Sequence, residues 1–171
     1  MGFEDYSKKI IEWLEDGSTK YNVTMLVGMV GQGKTAHAKQ FFYNKVVIGK
    51  FTCKAWINVS NFNDPKEFFR FMLEKFYREP ISPPYGYLTM GLESLKHEVK
   101  KYLCKKRYVL FFDDVWSKNF WQEIKQTLSD NNENGSRIII TTRCKEVVDT
   151  CEKSNIVKVQ PLYEKVSEKM L

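Results

Sequence analysis

The 171-residue chain is poor in the residues that mark the specialised classes of protein. Cysteine occurs four times, at Cys53, Cys104, Cys144 and Cys151, never in C-x-x-C spacing, and His37 and His97 lie far from any cysteine pair. That pattern indicates neither a zinc site nor a small disulfide framework, and four reduced thiols in a cytoplasmic protein are expected. No stretch approaches the roughly 18 consecutive apolar residues that a transmembrane helix needs. The opening Met-Gly-Phe-Glu-Asp-Tyr has no basic and then apolar leader, and Tyr6 stands where N-myristoylation requires Ser or Thr. Without a secretory signal, the N-x-S/T sequons at Asn22, Asn58 and Asn134 read as chance matches. Charge of one sign is not concentrated either. The net charge is +6, yet the successive windows ending at residues 50, 100, 150 and 171 each carry only +1 or +2. The tight group Lys100, Lys101, Lys105, Lys106 and Arg107 reads as a solvated helix end, so nucleic acid is not an expected partner.

What is present is an ordinary globular composition, 43% apolar and 15% aromatic. A single domain of this length buries roughly 70% of its unfolded surface and needs no staples. Tyr6 to Glu15 places Ile10, Ile11 and Leu14 on one helical face, ended by Asp16-Gly17-Ser18. Val23 to Met29 reads as a buried strand entering a glycine loop, and Thr35 to Tyr43 as the helix that follows. Phe51 to Val59 alternates as a strand. Asp64-Pro65 is an N-cap with Pro at N1, predicting a helix to about Arg78 with Phe68, Phe69, Met72, Leu73 and Phe76 inward. Glu79 to Met90, with Pro80, Pro83, Pro84 and Gly86, is a surface loop. Gly91 to Lys105 is helical, Arg107 to Phe112 a buried strand, and Phe120 to Leu128 helical. Asp130 to Gly135 is a turn, and Ile138 to Thr142 and Ile156 to Val159 are strands. Strands alternating with helices predict an α/β fold with a mainly parallel sheet.

Gly28-Met29-Val30-Gly31-Gln32-Gly33-Lys34-Thr35 fits G-x-x-x-x-G-K-S/T between a predicted strand and a predicted helix. There, backbone N–H groups and the positive helix end converge on an anion, and glycines let the chain wrap phosphates without Cβ clashes. Lys34 reaches the β and γ phosphates and the Thr35 hydroxyl ligates Mg2+. Asp113 and Asp114 end an apolar strand, as a Walker B element does. Asp113 is expected to hold Mg2+ through water, and Asp114 to orient or deprotonate the attacking water. Arg143 follows another buried strand, where it is either a solvated loop residue or a cation facing the γ-phosphate. His37 reads as a packed or surface histidine, and Trp116 and Trp121 as core or interface residues.

These motifs, in this order, resemble the NB-ARC nucleotide-binding domain of plant intracellular disease-resistance receptors, a branch of the STAND P-loop ATPases. Gly2-Phe3-Glu4 looks like the family's adenine-side opening motif, Gly28 to Thr35 its P-loop, Phe51 to Ser60 the block after its second strand, Leu110 to Trp116 its Walker B, Gly135 to Arg143 its sensor block and Val159 to Leu162 the motif after that. The resemblance implies a three-layer α/β/α sandwich with a five-stranded sheet of order 5-1-4-3-2, and it makes Arg143 the γ-phosphate sensor. It implies ADP or ATP with Mg2+ bound by residues 28–36, Ala36 included, and other immune-receptor domains or proteins as candidate partners. The chain departs from the family at Val30, Gln32, Ala36 and His37, which touches hydrolysis more than binding because Lys34-Thr35 is intact. Residues 1–171 correspond to the nucleotide-binding subdomain, ending before the family's GLPL and MHD motifs.

The leading expectation is therefore an ADP/ATP-binding switch module of plant immunity with at most slow Mg-dependent hydrolysis. Two alternatives stand beside it. One is an autonomous P-loop ATPase or small-molecule kinase, for which the Glu79 to Met90 loop is the lid candidate and holds no arginine. The other is a nucleotide-free decoy or interaction protein.

Overall fold

The computed structural model describes residues 3–18, 20–28, 33–128 and 134–159. Expectations for Gly2, for Met29, Val30, Gly31 and Gln32, for most of the turn before Gly135 and for Gln160 to Leu162 lie outside them. Helix α1 spans Phe3–Glu15, strand β1 Asn22–Val27, α2 Lys34–Phe42 and α3 Lys45–Gly49. There follow β2 (Cys53–Asn58), α4 (Pro65–Phe76), α5 (Leu92–Leu103) and β3 (Tyr108–Asp113). The chain continues through α6 (Lys118–Leu128), β4 (Arg137–Thr142), α7 (Lys145–Val148) and β5 (Ile156–Lys158). No helix among the described residues is long and apolar enough to cross a membrane.

All strand pairings are parallel and the order is β2-β3-β4-β1-β5, the expected 5-1-4-3-2 read from the other edge. Every residue of β3 and β4 is buried, which is why Tyr108 to Phe112 and Ile138 to Thr142 read as apolar, aromatic or β-branched runs, with Asp113 and Arg137 at the strand ends. Successive residues serve opposite faces. Leu110, Phe112, Ile138 and Ile140 pack with Phe68, Leu73, Leu95, Val99 and Trp121 of α4, α5 and α6. Val109, Phe111 and Ile139 pack with Ile10, Leu14, Ala38 and Phe41 of α1 and α2. Two helical layers thus sandwich one sheet. The cap of α4 forms as expected, with Asp64 Oδ1 accepting the Lys66 N–H at 3.0 Å ahead of Pro65.

Two local readings need correction. The short helices α3 and α7 arise where no periodicity could accumulate, being five and four residues long. The basic group at the end of α5 is only partly a solvated helix end. The Lys106 ammonium lies 3.8 Å from the Tyr102 ring centroid, and the Arg107 guanidinium donates to the Asp16 carbonyl at 3.1 Å. Of the two tryptophans expected in the core or at an interface, Trp121 is buried with its indole N–H donating to Thr150 Oγ1, and Trp116 is 44% exposed.

Candidate functional site

A parallel sheet delivers the C-terminal ends of all its strands to one edge, where open α/β sheets bind ligands. Here that edge carries Val27, Asn58, Asp113, Thr142 and Lys158. Gly28 continues β1, its N–H donating to the Thr142 carbonyl at 3.3 Å. The chain enters α2 at Gly33, whose φ of 76° lies in the left-handed region that glycine adopts without Cβ strain. Gly33 gives α2 no side-chain cap, the condition under which first-turn amides take an external anion as partner.

Thr35, one residue into α2, meets the end of β3. Its hydroxyl donates to Asp113, with Oδ1 at 2.9 Å and Oδ2 at 3.1 Å. Asp113 is buried and also accepts from Thr141 Oγ1 of β4 at 2.5 Å. Thr141 Oγ1 in turn accepts the Asp114 N–H at 2.8 Å. Asp114 has a φ of 56°, an unusual conformation for a residue with a Cβ, and one that needs surrounding bonds to hold it. Those bonds come from β4. Besides the Thr141 hydroxyl, the Thr141 carbonyl accepts the Val115 N–H at 3.0 Å, and Thr142 Oγ1 donates to the Val115 carbonyl at 2.6 Å. Two adjacent threonines therefore fix the turn that aims both carboxylates.

Gly33, Thr35, Asp113, Asp114 and Thr141 line a cleft of about 640 Å³ together with Lys34, Ala36, Lys39, Asn58 and Arg143. Burial pushes the Lys34 ammonium below the ordinary lysine range; the Asp114 carboxylate opposes this, Arg143 adds to it, and Asp113 opposes it more weakly. Three cations and two carboxylates share the cleft, a balance suited to a multiply charged anion accompanied by a divalent cation. Thr35 and Asp113 offer adjoining hydroxyl and carboxylate oxygens, hard donors of the kind Mg2+ takes beside phosphate oxygens and waters, so the residues fit that ion. Among the described residues no group of three or more His, Cys, Asp or Glu could hold a metal alone, so such an ion would draw its other ligands from phosphate and water.

Of the residues singled out from sequence, Gly33, Lys34, Thr35, Ala36, Asp113, Asp114 and Arg143 converge on this cleft. Gly28 is bonded at the end of β1 and is not among the lining residues. Sequence reasoning passed over Thr141, Asn58 and Lys39. A signal existed for Thr141, which breaks an isoleucine run two residues before Arg143, whereas Asn58 is placed by its register with Asp113, which no local pattern gives. Lys39 carries no such signal.

Comparison with known proteins gives the family and the fold. The family described as NB-ARC domain matches residues 3–171. The chain is 33% identical over 144 residues to Disease resistance protein RPM1 of Arabidopsis thaliana, across 84% of this chain and 15% of that protein. It is 31% identical over 150 residues to Disease resistance RPP13-like protein 4 of the same plant, across 86% of this chain and 16% of that protein. The chain thus spans about a sixth of the length of these relatives. Among solved structures, Cdc6p from Pyrobaculum aerophilum aligns with a TM-score of 0.68 at 13% identity, covering 92% of this chain and 44% of that one, a likeness of fold alone. With the family match running through nearly its whole length, the chain belongs to the NB-ARC domain family.

Proposed function

We propose that the chain is an adenine-nucleotide switch module of plant immune-receptor type, binding ADP or ATP with Mg2+ and hydrolysing ATP slowly if at all. The observation that carries this reading is the bonded set Thr35, Asp113 and Thr141, which joins the start of α2 to the ends of β3 and β4 beside Lys34 and Arg143. Residues 28–36 wrap the phosphates, Lys34 neutralises their charge, and Arg143 faces the terminal phosphate. Mg2+, when bound, neutralises charge on the phosphate oxygens, and Thr35 and Asp113 are the residues that would hold it. Asp114, held by Thr141 through its backbone, orients the attacking water. Other receptor domains are the proposed partners of such a module, and plant defence its setting.

Calorimetric titration with Mg-ADP and Mg-ATP tests the reading. Both nucleotides should bind, and Lys34→Ala should remove most of the affinity. Binding of either nucleotide as tight in Lys34→Ala as in the wild type would refute the phosphate assignment. A steady turnover of several per second, ordinary for an enzyme, would favour the autonomous ATPase or kinase. Failure of both nucleotides to bind the wild type would leave the interaction protein.

A further inference from the structure

A second cleft, of about 310 Å³, lies away from the carboxylates, where α2, the edge strand β2 and the end of α4 meet. Four cations line it: Lys39 from α2, Lys54 from β2, Lys75 from α4 and Arg78 just beyond α4. Among the described residues no carboxylate lines it and none of the four forms an ion pair. Its walls are aromatic. The Lys54 ammonium sits 4.0 Å from the Phe42 ring centroid and donates to the Phe42 carbonyl at 3.1 Å, while the Lys39 ammonium stands 5.9 Å from the Trp56 ring centroid.

Like charges gathered in a concave, partly desolvated place repel one another, and the arrangement is relieved when an anion enters. Burial, and secondarily the Arg78 guanidinium, push the Lys54 ammonium below its ordinary range. A guanidinium fork with three ammonium groups suits phosphate oxygens, and the volume suits a small molecule more than a folded partner. We propose that this cleft is a second anion site, distinct from the nucleotide cleft, that takes a small molecule carrying two or more phosphate monoesters, either free in solution or as the headgroup of a lipid. Lys39 lines both clefts, so occupancy of one bears on the charge balance of the other.

The test uses fructose 1,6-bisphosphate as the free probe and vesicles containing phosphatidylinositol 4,5-bisphosphate as the lipid one, with binding read by calorimetry, Trp56 fluorescence and co-sedimentation. All measurements are made with the nucleotide cleft saturated by Mg-ADP, and again in Lys34→Ala. Binding should persist in both settings and weaken at least about 10-fold in the Lys54→Gln, Arg78→Ala double variant. Arg78 is exposed, so Arg78→Ala alone keeps the core intact and should show part of the same loss. Competition by the free bisphosphate assigns the site to soluble ligands, and vesicle binding without competition assigns it to headgroups. Absence of saturable binding by either probe, affinity unchanged in the double variant, or loss in Lys34→Ala alone would overturn the proposal. That last outcome would leave the nucleotide reading untouched, and a failure of nucleotide binding would not remove a site that survives Lys34→Ala.

Discussion

At the scale of single residues, Thr141 is the hinge of the candidate site, because one hydroxyl both donates to Asp113 and accepts from the Asp114 backbone. Thr141→Val keeps the volume and removes both bonds. It should cost about 1–2 kcal/mol of stability and reduce the enhancement of nucleotide affinity by Mg2+, with Thr141→Ser restoring both. Titration with and without Mg2+ checks this, and an unchanged enhancement in the valine variant would deny Thr141 a positioning role. Lys34 makes a separate prediction about pH. In the free cleft burial holds its ammonium below the ordinary value of 10.5, and a bound phosphate raises it again. Binding therefore takes up a proton between the free and bound values, and affinity falls as pH rises through that window. For Lys34 the fall should begin below the ordinary lysine range and should vanish in Lys34→Ala.

At the scale of elements, a single cap offers a clean measurement. Asp64 accepts the Lys66 N–H at the start of α4 and does not line the cleft, so Asp64→Ala should cost about 1 kcal/mol and lower the urea midpoint while leaving nucleotide affinity unchanged. The same elements show what was legible beforehand. The helix at Pro65 was readable because cap, Pro and inward phenylalanines all agree, and β3 and β4 because strands buried on both faces carry continuous apolar runs, Val109 to Phe112 and Ile138 to Ile140, with their polar residues at the ends. The start of α2 was readable because glycine, Lys and Thr stand in fixed spacing. What escaped was long-range. That Thr141 would bridge two aspartates depends on the register between β3 and β4, and that Arg107 would cap the α1 turn depends on residues more than ninety positions apart. Strand order itself came from resemblance, since no local pattern says which parallel strands are neighbours.

At the scale of the whole molecule, the two edges of the sheet divide the labour between chemistry and cohesion. The C-terminal edge holds the cleft. At the N-terminal edge Arg137, the first residue of β4, is only 1% exposed and donates to the carbonyls of Lys20 at 2.9 Å, Gly135 at 2.8 Å and Ser136 at 3.2 Å. It also donates to the Trp13 carbonyl, stands 5.3 Å from the Trp13 ring centroid, and pairs with half-exposed Asp16 at 3.6 Å. One guanidinium thereby ties α1 and the segment before β1 to the centre of the sheet. Arg137→Met fills similar space but leaves those carbonyls without their donor, so it should cost about 3 kcal/mol, most of it from unmet backbone acceptors and little from the Asp16 pair. For a chain of this length that lowers Tm by roughly 6–12 °C. Arg137 and the cleft residues Thr35, Asp113, Asp114 and Thr141 share no hydrogen-bond partner among the described residues, so the losses should be independent: Arg137→Met should retain the thermal shift on adding Mg-ADP, and Lys34→Ala should lose that shift with its own Tm little changed. Calorimetric scans of the two single variants and the double variant, each with and without Mg-ADP, measure the coupling. A loss of the shift in Arg137→Met would mean that the N-terminal edge helps to shape the phosphate site, and that the separation of roles fails.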